Sequence, residues 1–255
     1  MLKIGLNGAR GRMGQEIINA ITHNSASYAV AFAKARVAPP NTTVVTAWPL
    51  TATCDAVIDF TTAQSSLEAL AFCQLNLLPL VVGTTGFSSL EHEVFIEASK
   101  TIPILMAPNM SLSVNVLVKL AAIAAKLLRN FDIEISESHH RYKKDAPSGT
   151  ALYLGQAVAN ARNLNFSEVA CFNRHGKSDL VRPTDEIGFA VVRGGNVIGK
   201  HTLALLGDSE ELSLTSEITS RYSFAMGALY AARFVSGAAP GLYNMDNVLK
   251  MFISD

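Results

Sequence analysis

The segment Glu137–Ala151 reads Glu-Ser-His-His-Arg-Tyr-Lys-Lys-Asp-Ala-Pro-Ser-Gly-Thr-Ala, placing two histidines, two lysines and a Ser-Gly-Thr turn within fifteen residues. Imidazole titrates near neutral pH, so His139 and His140 suit acid–base work. Lys143 adds a fixed positive charge or a proton donor. Pro147 bends the chain ahead of Ser148-Gly149-Thr150, which offer hydroxyls and backbone N–H groups at the start of an expected helix, where an anion is favoured. The combination suits a site that grips a carboxylate and protonates the carbon skeleton beside it. The two histidines point to opposite sides of an extended segment and lack the spacing of a metal-ligand pair, so no metal is expected. Ser148 is not expected to be a nucleophile, because the pattern G-x-S-x-G is absent. Taken residue by residue, the segment is equally compatible with a polar, capped loop.

A second chemical signal lies at the N-terminus. Asn7-Gly8-Ala9-Arg10-Gly11-Arg12-Met13-Gly14 follows the apolar run Leu2–Leu6 and leads into a helical pattern from Arg12 to Ile21. The spacing G-x-x-G-x-x-G is a shifted form of the dinucleotide fingerprint. Gly8 can make the tight turn, Gly11 lets a pyrophosphate approach the backbone, and Gly14 allows close helix–strand packing. A strand before and a helix after give the context the motif needs; a merely tight turn is the alternative. The fingerprint also expects an acid about twenty residues on, for the ribose hydroxyls. Here the chain reads Ala33-Lys34-Ala35-Arg36. Lys34 and Arg36 would welcome a 2′-phosphate, which makes NADPH the preferred dinucleotide and NADH the alternative; as solvated surface charges they would carry no preference. Gly194–His201 nearly matches a phosphate-binding loop, but His201 stands where a hydroxyl must hold magnesium, and the segment falls on an expected hairpin.

These residues need a scaffold, and the first half of the chain supplies the pattern of one. Apolar runs at Leu2–Leu6, Tyr28–Ala33, Ala56–Phe60, Leu80–Val82 and Ile104–Met106 read as strands. Helical patterns fall at Arg12–Ile21, Ser65–Leu75 and Ser89–Ser99. Repeated strand–helix units with non-alternating apolar strands imply a parallel sheet covered on both faces. Val37–Thr53, rich in proline and threonine, is the least regular part. After Asn109 the pattern changes: a helix over Ser113–Arg129, a strand over Asp132–Ser136, the histidine segment, and a helix from Thr150 to about Arg162. Ile187–Arg193 and Val197–Leu203 look like a hairpin turned by Gly194-Gly195-Asn196. Leu212–Ile218 offers another strand, and Phe224–Val235 is helical. The fold class is therefore α/β: a Rossmann-type dinucleotide-binding domain followed by an α+β insert.

Composition narrows the function classes. The 255 residues are 49% hydrophobic and 16% charged with no net charge, which argues against disorder and gives no basic surface for nucleic acid or membrane. The N-terminus reaches glycine too soon for a signal peptide, and the apolar segment Val114–Leu128 is too short to span a bilayer. Three widely spaced cysteines form no disulfide framework. A cytoplasmic enzyme is expected.

Gly8–Gly14, Asp59-Phe60-Thr61, Gly83–Phe87, Ala107–Ser111 and the His139–Ala151 segment occur in the order seen in the dihydrodipicolinate reductase (4-hydroxy-tetrahydrodipicolinate reductase) family. The chain resembles that family over essentially its whole length. The resemblance implies that hydride passes from NAD(P)H to the ring of a dicarboxylate substrate in lysine and diaminopimelate biosynthesis. His139 would be the acid–base residue and Lys143 the proton donor. His140, Lys143, Ser148, Gly149 and Thr150 would hold the substrate's carboxylates, with Thr85 beside the substrate. Gly8, Ala9, Arg10, Gly11, Arg12 and Met13 would bind the dinucleotide, with Arg36 by the adenosine ribose. Gly83, Thr84 and Thr85, with Ala107, Pro108, Asn109 and Met110, would line the nicotinamide side. The resemblance also implies that residues 1–111 and 221–255 form the dinucleotide-binding domain, and that residues 112–220 form an inserted domain for substrate binding and oligomerisation through which a homotetramer is built. This chain departs from the family's pattern at Ala35, where an acid is common, and at Pro183–Phe189, where Thr184 replaces the usual glycine. Another two-domain dehydrogenase and an idle dinucleotide-sensing protein are the competing readings; the first does not need His139-His140 together with Ser148-Gly149-Thr150, and the second would be favoured had His139 or Lys143 been lost.

Overall fold

The computed structural model describes residues 1–38, 44–51, 53–172, 174–177 and 179–253. Within the irregular stretch Val37–Thr53, residues 39–43 and 52 lie outside the described set. The chain divides into two compact units, one of Met1–Leu112 with Arg221–Asp255 and one of Ser113–Ser220.

The first unit runs β1 (Leu2–Asn7), α1 (Arg12–His23), β2 (Tyr28–Lys34), β3 (Val44–Val45), β4 (Ala56–Asp59), α2 (Ala63–Leu75), β5 (Leu80–Val82), α3 (Ser89–Ala98) and β6 (Pro103–Met106). The chain returns to it later with α7 (Tyr222–Val235), β12 (Gly241–Tyr243) and α8 (Met245–Lys250). The seven strands form a parallel sheet in the order β12-β6-β5-β4-β1-β2-β3. The order reverses between β1 and β4, and in such sheets a ligand crevice opens outside the strands' carboxyl ends at that point. Successive side chains feed opposite layers, which is why the strands read as unbroken apolar runs. Ile4, Leu6, Ile58, Val81 and Leu105 join α1 and α7 on one face. Val57, Leu80, Val82 and Ile104 join Phe72 of α2 and Phe95 of α3 on the other. Local signals start these helices: the Thr62 hydroxyl accepts from the Ser65 N–H ahead of α2, and Ser88 and Glu91 form a capping box at α3.

The second unit carries α4 (Leu112–Leu127, starting at the last residue of the first unit), β7 (Asp132–His139) and α5 (Gly149–Arg162). It continues with α6 (Phe166–Val169), β8 (Ala170–Cys171), β9 (Ile187–Arg193), β10 (Gly199–Leu206) and β11 (Glu211–Ile218). Its mixed sheet has the order β11-β10-β7-β9-β8. The expected hairpin of β9 with β10 does not form. β7 lies between them, antiparallel to β10 and parallel to β9. Neighbouring strands sit about 4.8 Å apart, so the connection from β9 to β10 must span roughly two such spacings, more than a tight hairpin turn can cover. Residues 194–198 cross the end of β7 instead, with the Gly194 N–H donating to the His139 carbonyl at 3.0 Å. β7 also runs three residues beyond the expected Ser136, which carries Glu137 and His139 into the strand. Ile133, Ile135, Leu203 and Leu205 pack with Leu117 and Val118 of α4 and Leu154 and Val158 of α5 in one core. Buried Arg162 closes α4, donating to the carbonyls of Ala125, Leu128 and Phe131 at 3.1, 2.8 and 2.8 Å. No helix among the described residues is long and apolar enough to cross a membrane.

Candidate active site

In the first unit the loop after β1 is held by its own backbone. The Gly8 and Ala9 N–H groups donate to the Lys34 carbonyl at 2.9 and 3.0 Å, and the Gly11 N–H donates to the Gly8 carbonyl at 2.9 Å. Gly8 sits at φ 91°, a conformation that disfavours any side chain. A Cβ at Gly14 would fall 2.2 Å from the Gly8 carbonyl oxygen, so only glycine lets α1 approach the loop. α1 begins with Gly11 as its cap, without a side-chain bond to its first N–H groups and without an acid in its first turn. An anion is favoured there by the helix dipole. Beside this loop lies a cleft of about 510 Å³, lined by Asn7, Gly8, Arg10, Gly11, Lys34–Val37, Phe60–Thr62 and Ser65. Its glycine floor and cationic rim fit a dinucleotide's phosphates and adenosine ribose.

The two cations after β2 are in different situations. Lys34 is buried, its ammonium 4.7 Å from the centre of the Trp48 ring and 4.0 Å from the Glu68 carboxylate. Trp48 in turn stacks on Phe72 at 4.5 Å. Arg36 and Arg10 are exposed on the cleft. Ala9 is buried, Met13 packs against the core, and Arg12 is exposed at the start of α1; none of the three lines the cleft. Gly83, Thr84 and Thr85 follow β5, and Ala107, Pro108, Asn109 and Met110 follow β6. Both segments lie at carboxyl ends of the same sheet but outside this cleft. Within them Ala107 and Met110 belong to the core, while Thr85 and Pro108 are exposed.

A residue pattern that sequence reasoning left without a role ties these loops together. Asp59, fully buried at the end of β4, accepts from Asn7 Nδ2 (2.7 Å), Thr61 Oγ1 (2.7 Å), Ser66 Oγ (2.5 Å) and Thr84 Oγ1 (2.7 Å). Thr84 Oγ1 also accepts from the Thr61 N–H at 2.8 Å. One carboxylate therefore fixes the ends of β1 and β4 and the loop after β5.

In the second unit a buried set of ionisable groups lies on the helix-facing side of β7. Ile133 and Ile135 occupy that row, and Glu137 and His139 continue it. His201 continues the matching row of Leu203 and Leu205 on β10. Glu137 Oε2 accepts from Arg193 Nη1 at 2.7 Å and lies 2.6 Å from His139 Nδ1. Its Oε1 accepts from Arg193 Nη2 at 2.8 Å and from the Ser148 N–H at 2.9 Å. Ser148 is buried, caps α5 through the Ala151 N–H, and places its Oγ 3.0 Å from His201 Nε2. The His139 and His201 rings meet edge to face at 5.1 Å.

Electrostatics follow from this packing. Burial alone would raise the Glu137 carboxyl, but the Arg193 guanidinium, the His139 ring and the Ser148 N–H outweigh it and the net shift is downward. Burial lowers His139; Glu137 opposes that, and the Lys143 and Arg193 cations add to it, leaving the ring neutral near pH 7. A neutral ring weakens the charge attraction it offers Glu137, so Arg193 is the partner that keeps the carboxylate ionised. His201 is held down to about 4, by burial first and by the His139 ring second.

His140 and Lys143 follow the strand. The His140 Nδ1 is buried without a hydrogen-bond partner among the described residues. Lys143 Nζ pairs with Asp145 Oδ1 at 2.9 Å. Burial would raise the Asp145 carboxyl, but Lys143 and, among smaller contributions, the Gly149 N–H hold it low. Gly149 is exposed, with nothing within 4 Å of where a Cβ would stand, and Thr150 follows it in the first turn of α5. His139, His140, Lys143, Ser148, Gly149 and Thr150 are thus gathered within one unit. Glu137, Arg193 and His201 were missed by the sequence reading. Their signal was charge and imidazole at positions whose period-2 phase belongs to the core.

Residues 2–110 match the family model described as dihydrodipicolinate reductase, N-terminus, and residues 113–249 match that of its C-terminus. The 4-hydroxy-tetrahydrodipicolinate reductase of Campylobacter concisus is 43% identical over 253 residues, covering 98% of each chain. That of Geotalea uraniireducens is 41% identical over 266 residues, covering 98% of this chain and 99% of the other. Among solved structures, the dipicolinate-bound dihydrodipicolinate reductase of Paenisporosarcina sp. TG-14 superposes with a TM-score of 0.76 at 25% identity, over 97% of this chain and 99% of that one. With both family models matched across nearly the whole length and relatives above 40% identity, the chain belongs to the dihydrodipicolinate reductase family.

Proposed function

We propose that this protein reduces 4-hydroxy-tetrahydrodipicolinate to tetrahydrodipicolinate with a nicotinamide dinucleotide, NADPH in preference to NADH, consuming one proton and releasing water. The observation that carries the substrate side is that Lys143 already pairs with a carboxylate, that of exposed Asp145, at 2.9 Å. A substrate carboxylate is suited to the same ammonium, with the N–H groups at the start of α5 beside it. His140, with a ring nitrogen lacking a partner among the described residues, and Thr150 complete the grip. Ser148 contributes by shaping the first turn of α5, because its hydroxyl is already engaged with the Ala151 N–H and His201.

The dinucleotide, when bound, supplies hydride to the unsaturated ring. Gly8, Gly11, Arg10 and Arg36 would hold its phosphate and adenosine end, and the segments Gly83–Thr85 and Ala107–Met110 its nicotinamide end. Addition of hydride to a conjugated imine leaves negative charge on the adjoining carbon. Lys143 is placed in this reading to stabilise that charge and donate the proton, and neutral His139 to take a proton up. Acid–base assistance of this kind contributes about 10²–10⁴ in rate. Preference for NADPH rests on Arg36 and Arg10, the exposed cations of the cleft. A homotetramer assembled through the second unit and a cytoplasmic setting belong to the same reading.

The test is NADPH oxidation followed by absorbance, with substrate generated in situ from pyruvate and aspartate semialdehyde by a synthase. Consumption that requires both proteins is expected, and Lys143→Ala should lower kcat by orders of magnitude while dinucleotide affinity stays within about twofold. Dinucleotide binding without consumption would remove the substrate assignment. Light scattering on the purified protein tests the tetramer.

A further inference from the structure

We propose that Glu137, locked by Arg193, is a positioning residue for His139, holding the ring in the tautomer that carries its proton on Nδ1 and leaves Nε2 as the acceptor. The inference rests on the reading of His139 as the acid–base residue.

Four groups converge on the Glu137 carboxylate: two guanidinium N–H groups of Arg193, the Ser148 N–H and His139 Nδ1, at 2.6–2.9 Å. An ionised carboxylate only accepts, and a guanidinium only donates. The contact at Nδ1 therefore requires the proton to be on Nδ1. A neutral ring has one N–H, so Nε2 presents a lone pair. Among the described residues no hydrogen bond is made to that nitrogen, and His201 directs its own Nε2 to Ser148. The same carboxylate anchors Ser148, the cap of α5, so the His139 ring and the Gly149–Thr150 turn are referenced to one group. Arg193 also donates to the Asp145 carbonyl at 2.7 Å, tying the intervening loop to that anchor.

The experiment uses the full protein labelled with ¹⁵N-histidine. Long-range ¹H–¹⁵N spectra at a pH where His139 is neutral are expected to show it protonated on Nδ1, with assignment by His139→Gln. Finding Nε2 protonated in the unmodified protein overturns the proposal, and this result needs no variant at Glu137. In Glu137→Gln the amide has one accepting and one donating end. With Arg193 and the Ser148 N–H keeping the oxygen, the NH₂ faces His139 and turns it to the Nε2–H form. Turnover should then fall on the order of 10²-fold with the substrate KM within about threefold, as outer partners of a functional histidine do. In a His139→Gln background the same change should add almost nothing, because it acts through that ring. A tautomer switch without loss of kcat, or an undiminished loss in the His139→Gln background, overturns the positioning role. If His139→Gln alone leaves turnover intact, the acid–base reading falls, and the positioning role with it. The spectra, which require no activity, tell that failure apart from a failure of the tautomer assignment.

Discussion

His201 should make this protein acid-sensitive by a measurable amount. The ring is almost fully buried on β10, edge-on to His139, with its Nδ1 lacking a partner among the described residues. Burial and the neighbouring imidazole hold its pKa to about 4, whereas an unfolded histidine titrates near about 6.5. Between these values the unfolded chain binds a proton that the folded chain refuses. Stability therefore rises with pH through the window and is lost as pH falls from about 6.5 towards about 4. Inside the window each pH unit is worth up to about 1.4 kcal/mol, so roughly 2 kcal/mol is gone by about pH 5 and roughly 3 kcal/mol in full. His201→Gln keeps a polar group near the Ser148 hydroxyl and does not titrate. Urea denaturation of both proteins, at one protein concentration and at pH 7.5, 6 and 5, isolates the effect, since other shared titrations cancel in the difference. The stability difference, wild type minus variant, should drop by about 2 kcal/mol from pH 7.5 to 5. A difference that does not change with pH, or a His201 resonance in the folded protein that titrates near pH 6.5, would refute the reasoning.

Replacing Arg10 and Arg36 with alanine should raise the KM for NADPH roughly tenfold or more relative to NADH, because exposed cleft cations are the partners available to a 2′-phosphate. Lys34→Ala should instead lower the melting temperature and affect both dinucleotides alike, since its charge is spent on Trp48 and Glu68; selective loss of NADPH binding would contradict this. Gly14→Ala drives a methyl group against the Gly8 carbonyl, and about 1–3 kcal/mol of stability should go together with dinucleotide affinity in thermal melts and fluorescence titrations. Arg162→Met strips three carbonyls beyond and at the end of α4 of their donor, and a loss of about 3 kcal/mol with faster amide exchange there is expected.

The strands β1, β2, β4, β5 and β6 were legible because burial on both faces writes itself as uninterrupted apolar runs. The helices α1–α5 and α7 were legible from their periodicity and caps. Short elements such as β3, β8, β12 and α8 left no comparable pattern, since a few residues carry too little periodicity to separate strand, helix and loop. The glycine loop and the His139–Ala151 segment announced their chemistry because their residue types act locally, through backbone conformation and helix-end charge. Strand pairing in the second unit is different in kind. Gly194-Gly195-Asn196 is as good a turn for a hairpin as for a crossing, and only the insertion of β7 between β9 and β10 decided which it makes. That insertion brings Arg193 opposite His139 and sets His201 beside it. It thereby determines which carboxylate stays ionised and which imidazole stays neutral. Sequence by itself determined the residues available for chemistry and the strand–helix series that carries the glycine loop. Tertiary structure alone decided their protonation and partners, because burial and hydrogen bonding between distant segments are properties of packing and have no local spelling.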